Sequence, residues 1–238
     1  MGKLIRNLIL LVFLLVIIIT SIIIYGGYSL YKETTNKISM SDKILEIQNS
    51  EDFVSIKDVP EYYKNAVIAV EDHRFYEHGA VDGIAITRAL TSNIKNKDLV
   101  EGGSTITQQV VKNMYFMDNP DDSLNRKIAE IIMGIKLENE YSKDEIFELY
   151  MNNIYYGDGY YNIKDACKGY FNKKTSELNL YEATLLAGVP NAPSVYSPNV
   201  NPELCKQRQK KVIKSMVKYG YLTQEEADKI NLNEYFEK

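Results

Sequence analysis

The twelve residues EGGSTITQQVVK, positions 101–112, are the stretch on which the reading of this chain turns. Gly102 and Gly103 lead through Ser104 into a helix whose start carries Thr105-x-x-Gln108, the spacing of a capping box. An opening of that kind leaves backbone N–H groups free to hold an anion. On a helical wheel Ile106, Val110 and Met114 share one face, and Thr105, Gln108 and Lys112 share the other. The polar face could contact a substrate, with Lys112 as a point charge for phosphate. A glycine hinge in front of an ordinary amphipathic helix fits the same letters equally well.

Two neighbouring stretches carry further charge. VIAVEDHRFYEHGAVD, residues 67–82, is an apolar helical run ending on Glu71 and Asp72, followed by Phe75 and His78. Paired carboxylates at the end of a buried run are placed for general-base work, through desolvation and mutual repulsion. A helix end with solvated acids and a satisfied histidine is the blander reading, and the commoner one when the segment is taken alone. In RKIAEIIMGIKLE, residues 126–138, the wheel puts Ile128, Ile131, Ile132 and Ile135 on an apolar face, with Arg126, Lys127 and Glu130 opposite. Either these three form a surface ion pair worth a few tenths of a kcal/mol, or they hold a carboxylate between two cations beside an anion site. The spacing alone favours the surface pair.

Farther out, Tyr150, Tyr155, Tyr156, Tyr160 and Tyr161 cluster around NNIYYGDGYYNI at 152–163, better read as core than as sugar-stacking platforms, since the chain has no tryptophan. Lys206, Lys210, Lys214 and Lys218 form a basic stripe, read as a solvated face or a lipid contact. Helix punctuation recurs at Ser142-x-x-Glu145, Thr223-x-x-Glu226 and Asn201-Pro202, while alternating strand patterns are scarce. The expected fold is therefore all-α.

At the N-terminus, LILLVFLLVIIITSIII, residues 8–24, spans roughly 26 Å as a helix, close to a bilayer core. Lys3 and Arg6 before it place the N-terminus in the cytoplasm and the remainder outside the cell membrane, and the absence of an A-x-A-like site favours an anchor over a cleaved signal. The expected organisation is a tail at 1–7, a transmembrane anchor at 8–27, a stalk at 28–55, a catalytic domain at 56–200 and a helical hairpin at 201–238. Residues 83–101 are a candidate lid that Gly102 and Gly103 alone do not establish, and the apolar Met114–Met117 stretch is expected either to dip into the outer leaflet or to be a buried core segment.

Composition narrows the function. With 28 basic and 32 acidic residues the 238-residue chain has a net charge of −4, and leaving out the anchor's two cations makes the body more acidic still. Such a body repels polyphosphate, so no nucleic-acid partner is expected. GxxxxGK[ST], GxGxxG and HExxH are absent, and no nucleotide is implied. Cys167 and Cys205 show neither metal spacing nor a disulfide framework.

In this order the segments resemble the peptidoglycan glycosyltransferases of glycosyltransferase family 51, in particular the monofunctional biosynthetic transglycosylases. Glu71-Asp72-x-x-Phe75-x-x-His78 resembles the first family motif, Gly102 to Gln109 with Lys112 the second, and Arg126-Lys127-x-x-Glu130 the third. Lys143-x-x-Ile146 through Tyr150-Met151-Asn152 is similar to the fourth, and Gly157 to Phe171 to the fifth. The chain departs from the family pattern at Ala80, Met151 and Asn162.

The resemblance implies a lysozyme-like helical domain behind a single transmembrane helix, which polymerises lipid II into β-1,4 glycan strands and releases undecaprenyl diphosphate. It implies Glu71 and Glu130 as catalytic residues, with Asp72 setting the charge state of Glu71. Substrate contacts are expected from Asp72, Phe75, His78, Gly103, Ser104, Thr105, Gln108, Gln109, Lys112, Arg126, Lys127 and Asn152. Glu130 is the candidate ligand for a divalent cation, Mg or Mn. The expected partners are lipid II, the undecaprenyl-diphosphate-linked glycan chain, the membrane and a separate transpeptidase. A lytic transglycosylase or lysozyme-like hydrolase, and an inactive anchored cell-wall binding protein, are the alternatives.

Overall fold

The structure is a computed structural model that describes residues 2–96, 102–117 and 123–237. Among the described residues it is helical without strands. The first helix, α1 (Gly2–Lys37), is long and apolar enough to cross a membrane, with an 18-residue window of mean hydropathy 3.3 that is not buried by the rest of the protein. It continues past the apolar run without a break and packs along α6 (Leu124–Glu140). Glycine makes that approach possible: a Cβ on Gly27 would lie 2.4 Å from the Cβ of Ile128, and one on Gly26 would lie 2.6 Å from the Asn125 side-chain oxygen. Tyr31 is buried one turn later.

The expected stalk at 28–55 contains the end of α1 and a further helix and is held on the body. Its residues Tyr31, Ile44 and Val54 belong to the core, and α2 (Met40–Gln48), capped by Ser39, packs against α7 (Lys143–Asn153). Asn152 ties the segment down, accepting from the Val54 N–H at 2.8 Å and donating to the Val54 carbonyl at 2.8 Å.

Two helical groups make up the body. In one, α3 (Glu61–Glu71), α9 (Leu180–Gly188) and α11 (Pro202–Lys218) pack on one another. In the other, α5 (Ile106–Tyr115) packs on α6 and α7. Tyr63, Phe75, Phe147, Tyr150 and Tyr156 fill the middle as fully buried side chains, which bears out the core reading of the tyrosine cluster for Tyr150 and Tyr156. The capping boxes at Ser142 and Thr223 form, and Asn201 caps α11 ahead of Pro202. Gly220, at φ +78°, turns the chain from α11 into α12 (Gln224–Asp228).

The buried face of α6 is not the one expected. Ile135 is 48% exposed, and the inward positions are Arg126, Ala129, Glu130, Met133, Gly134 and Leu137. With α1 on one side and α5 on another, the helix has more than one covered face, and Arg126 and Glu130 are covered as a pair. The Met114–Met117 stretch is likewise corrected: Met114 and Phe116 are buried, Tyr115 is half-buried, and only Met117 is exposed, so the stretch is not a lipid-dipping element. Of the expected lid, residues 83–96 form α4 (Gly83–Asn96), and 97–101 lie outside the described residues.

Candidate active site

Between the two helical groups lies a groove of about 1050 Å³. One wall comes from the end of α3, the other from α5 and α6, and α11 runs along the rim. Glu71, Gln108, Gln109, Lys112, Lys127 and Glu130 all line it, so the two carboxylates expected to work together share one cleft.

Glu71 is the last residue of α3. Its Oε2 accepts from Gln109 Nε2 at 3.0 Å, and its Oε1 accepts from Arg208 Nη2 at 2.7 Å. Both partners are well placed to hold the carboxylate toward the cleft. Asp72 points elsewhere. One of its oxygens accepts from the backbone N–H of Ile106, at the start of α5, and the other sits 2.6 Å from His78 Nε2. Its visible work is to join α3 to α5 and to fix the histidine.

The two histidines are driven in opposite directions. Burial disfavours a charged His78, but the hydrogen bond to Asp72, with the Gly79 carbonyl on Nδ1, outweighs it and raises the pKa above the ordinary value. Both ring nitrogens face acceptors, which only the imidazolium can satisfy together. His73 is lowered, chiefly by burial and then by the charge of Arg88, and stacks on Tyr219 with ring centroids 4.1 Å apart. Asp82 lies beside this cluster. Burial pushes its carboxyl up, yet the Arg74 fork, the Ala85 N–H and the charges of Arg74 and His78 bring it down to about 2.

On the opposite wall, Lys127 Nζ bridges Glu130 Oε2 at 3.1 Å and Ser104 Oγ at 3.0 Å. Arg126 Nε is 3.1 Å from Glu130 Oε1, a charge contact without the alignment of a hydrogen bond. Lys112 is exposed in the groove with no carboxylate partner among the described residues. Thr105 caps α5 by accepting from the Gln108 N–H, but the reciprocal half of the box is missing. The Gln108 side chain donates instead to the Ala80 carbonyl at 2.9 Å, leaving its buried Oε1 without a hydrogen-bond partner.

Several expected contacts are therefore structural here. Phe75 is fully buried against Phe147, Thr105 is buried with its hydroxyl on the Ala80 carbonyl, and Asn152 holds residue 54. His78, Gly103 and Arg126 stand behind the lining, each beside a residue that reaches it. Of the polar face drawn for α5 only Lys112 is exposed, since Thr105 and Gln108 are buried, and Gln109, from off that face, joins it along the groove. The departure at Asn162 is accommodated in the fold: at φ −154° it caps α8 (Ile163–Ala166), accepting from the Asp165 N–H at 2.8 Å. Arg208 is a groove residue, paired with Glu71, that the sequence does not announce. It lies 137 positions from Glu71, in a lysine-rich helix where no local spacing singles it out.

A divalent cation does not fit the side chains as they are packed. Asp72, His78 and Asp82 bring ligand atoms within 4.8 Å of one another. Their atoms are already engaged: Asp72 by Ile106 and His78, and Asp82 by the Arg74 guanidinium and the N–H groups of Ile84 and Ala85. At Glu130 both oxygens face cations.

The model of the transglycosylase family matches residues 39–217. Penicillin-binding protein 1A of Neisseria lactamica is 43% identical over 198 residues, covering 82% of this chain and 24% of that protein. Penicillin-binding protein 1F of Bacillus subtilis is 40% identical over 215 residues, covering 86% and 30%. A crystal structure of penicillin-binding protein 1A from Haemophilus influenzae aligns with a TM-score of 0.41 at 23% identity, over 74% of this chain and 16% of that one. The chain thus spans less than a third of the length of these relatives.

Proposed function

This chain belongs to the transglycosylase family, and on that premise we propose that it is a peptidoglycan glycosyltransferase, an inverting enzyme that polymerises lipid II into β-1,4 glycan strands. The observation that carries the proposal is the shared groove, in which Glu71 faces Lys112, Lys127 and Glu130 across one cleft. In this reading Glu71 takes the proton from the 4-hydroxyl of the incoming lipid II. The freed oxygen attacks the anomeric carbon of the growing chain, and the bond from that carbon to the diphosphate oxygen breaks. Its electron pair leaves with undecaprenyl diphosphate, and direct displacement converts the α-linked donor to a β-link.

A diphosphate is a good leaving group, so cations that balance its charge matter more than a proton donor. Lys112 and Lys127 supply them on the groove surface, with Arg126 behind. Glu130, between Arg126 and Lys127, orients those cations. A hydrolase acting on a glycan has to hand a proton to a poor alkoxide leaving group, whereas both oxygens of Glu130 already face cations. Ser104 and Gln109 line the groove and position the sugar, with the buried Gln108 held on the Ala80 carbonyl.

The domain works at the outer face of the cell membrane, with α1 as its anchor and the N-terminus in the cytoplasm, following the positive charges of Lys3 and Arg6. Its substrate is then held in the same bilayer. Glu71→Gln is the direct test: polymer formation from lipid II should disappear while the melting temperature stays close to that of the parent. Turnover near the parental rate would remove Glu71 as the base.

A further inference from the structure

The rim helix α11 brings the groove a set of charges distinct from those on α5 and α6. Arg208, Lys211, Ser215 and Lys218 follow one another at steps of three and four residues, and all four line the groove with Lys214 beside them. Among the described residues Lys211 and Lys214 have no carboxylate partner. Arg208 does, and the partner is Glu71, through the 2.7 Å contact from Nη2. Its Nε donates to the Gly188 carbonyl at 3.2 Å, and its guanidinium lies 5.9 Å from the centre of the Tyr196 ring. The paired side chains are only 12% and 8% exposed, and both border the cleft.

A charge-assisted bond of this kind orients Glu71, but it also occupies Oε1 where an incoming hydroxyl would have to approach. A diphosphate carries more charge than a carboxylate and offers the guanidinium fork the same two-oxygen face. Two unpaired lysines within two turns of the same helix would draw such a group to this wall.

We propose that Arg208 is a positioning residue with two alternative anionic partners: Glu71 in the resting protein, and a lipid-linked diphosphate arriving along α11. Its transfer from the first to the second frees Glu71 to take the hydroxyl proton. The exchange rests on the reading of Glu71 as base. It redistributes hydrogen bonds only, and the guanidinium keeps all its protons.

The test is carbodiimide modification of Glu71 in the full chain in detergent micelles, read by peptide mass spectrometry, with no addition, with inorganic diphosphate, or with farnesyl diphosphate. Glu71 is expected to react slowly alone and about tenfold faster with a diphosphate, the equivalent of about 1.4 kcal/mol. Arg208→Gln should react at the fast rate with or without it. Acceleration by both additions assigns the effect to the diphosphate itself, and acceleration by farnesyl diphosphate alone assigns it to a lipid-borne one. Labelling that is unchanged or slowed by both additions overturns the exchange, and the wild-type arms decide this even if the variant does not fold. Lipid II polymerisation by the same preparation separates the two ideas: polymer with indifferent labelling discards only the exchange, and accelerated labelling without polymer discards the reading of the site.

Discussion

Replacing Asp82 by Asn should lower stability at neutral pH and leave the acid limit unchanged. Asp82 is 2% exposed and accepts four hydrogen bonds: from Arg74 Nη2 at 2.7 Å and Nε at 3.1 Å, and from the backbone N–H groups of Ile84 at 2.9 Å and Ala85 at 3.0 Å. Asn is as good an N-cap as Asp, so the two backbone bonds survive the change and the charged fork does not. The carboxyl is held at about 2 against an ordinary 3.8, a displacement that corresponds to about 2 kcal/mol of folding free energy at pH 7. Because the folded value is depressed, this stabilisation is present above the unfolded value near 4 and is lost as pH falls toward 2. For a domain of this size the loss amounts to a drop of about 4–8 °C in Tm. Thermal melts followed by circular dichroism in micelles, at pH 7 and stepwise down to pH 3, measure it. The gap between parent and variant should be full at pH 7 and narrow below pH 4. Equal melting temperatures at neutral pH, or a gap that does not narrow between pH 4 and pH 3, would refute the account of Asp82.

Gly27→Leu forces a side chain into the space held by Ile128; overpacking of this kind costs about 1–3 kcal/mol, and an unchanged Tm would mean that α1 and α6 are not in contact. Lys112→Ala should raise the KM for lipid II about tenfold, as expected for losing one charge-assisted bond to phosphate, with Tm unaltered because the ammonium has no carboxylate partner among the described residues; an unaltered KM would place the diphosphate elsewhere. Cys167 and Cys205 are free and buried, and burial pushes both thiols up, Cys205 to about 12. Thiol reagents should therefore label the native protein only as fast as it opens, with prompt labelling in the cold counting against that burial.

Features set by residues three or four apart are legible in the sequence itself. The caps at Ser142, Thr223 and Asn201 and the buried stripe Ile106, Val110 and Met114 form as their spacing requires, because a helix brings i and i+3 together whatever surrounds it. The first three motifs likewise contribute Glu71, Lys112, Lys127 and Glu130 to one groove. The letters mislead where covering depends on a second or third element. A wheel assumes one core direction, and it picks the wrong inward face for α6 because α1 and α5 cover that helix from different sides. Phe75 and Asn152 read as substrate contacts because a motif does not distinguish a residue that touches the ligand from one that holds the wall.

Composition and local pattern thus point to an all-helical domain behind an apolar N-terminal helix, because those depend on residue type and short-range geometry, while Glu71, Lys112, Lys127 and Glu130 stand out only through the resemblance of their motifs. Which oxygen of Glu71 meets Gln109 and which meets Arg208, that Asp72 serves α5 and His78, and that Gln108 turns back to Ala80 are settled by packing between segments as far as 137 residues apart. No local interaction energy links such positions, so their pairing exists only once the core has brought them together.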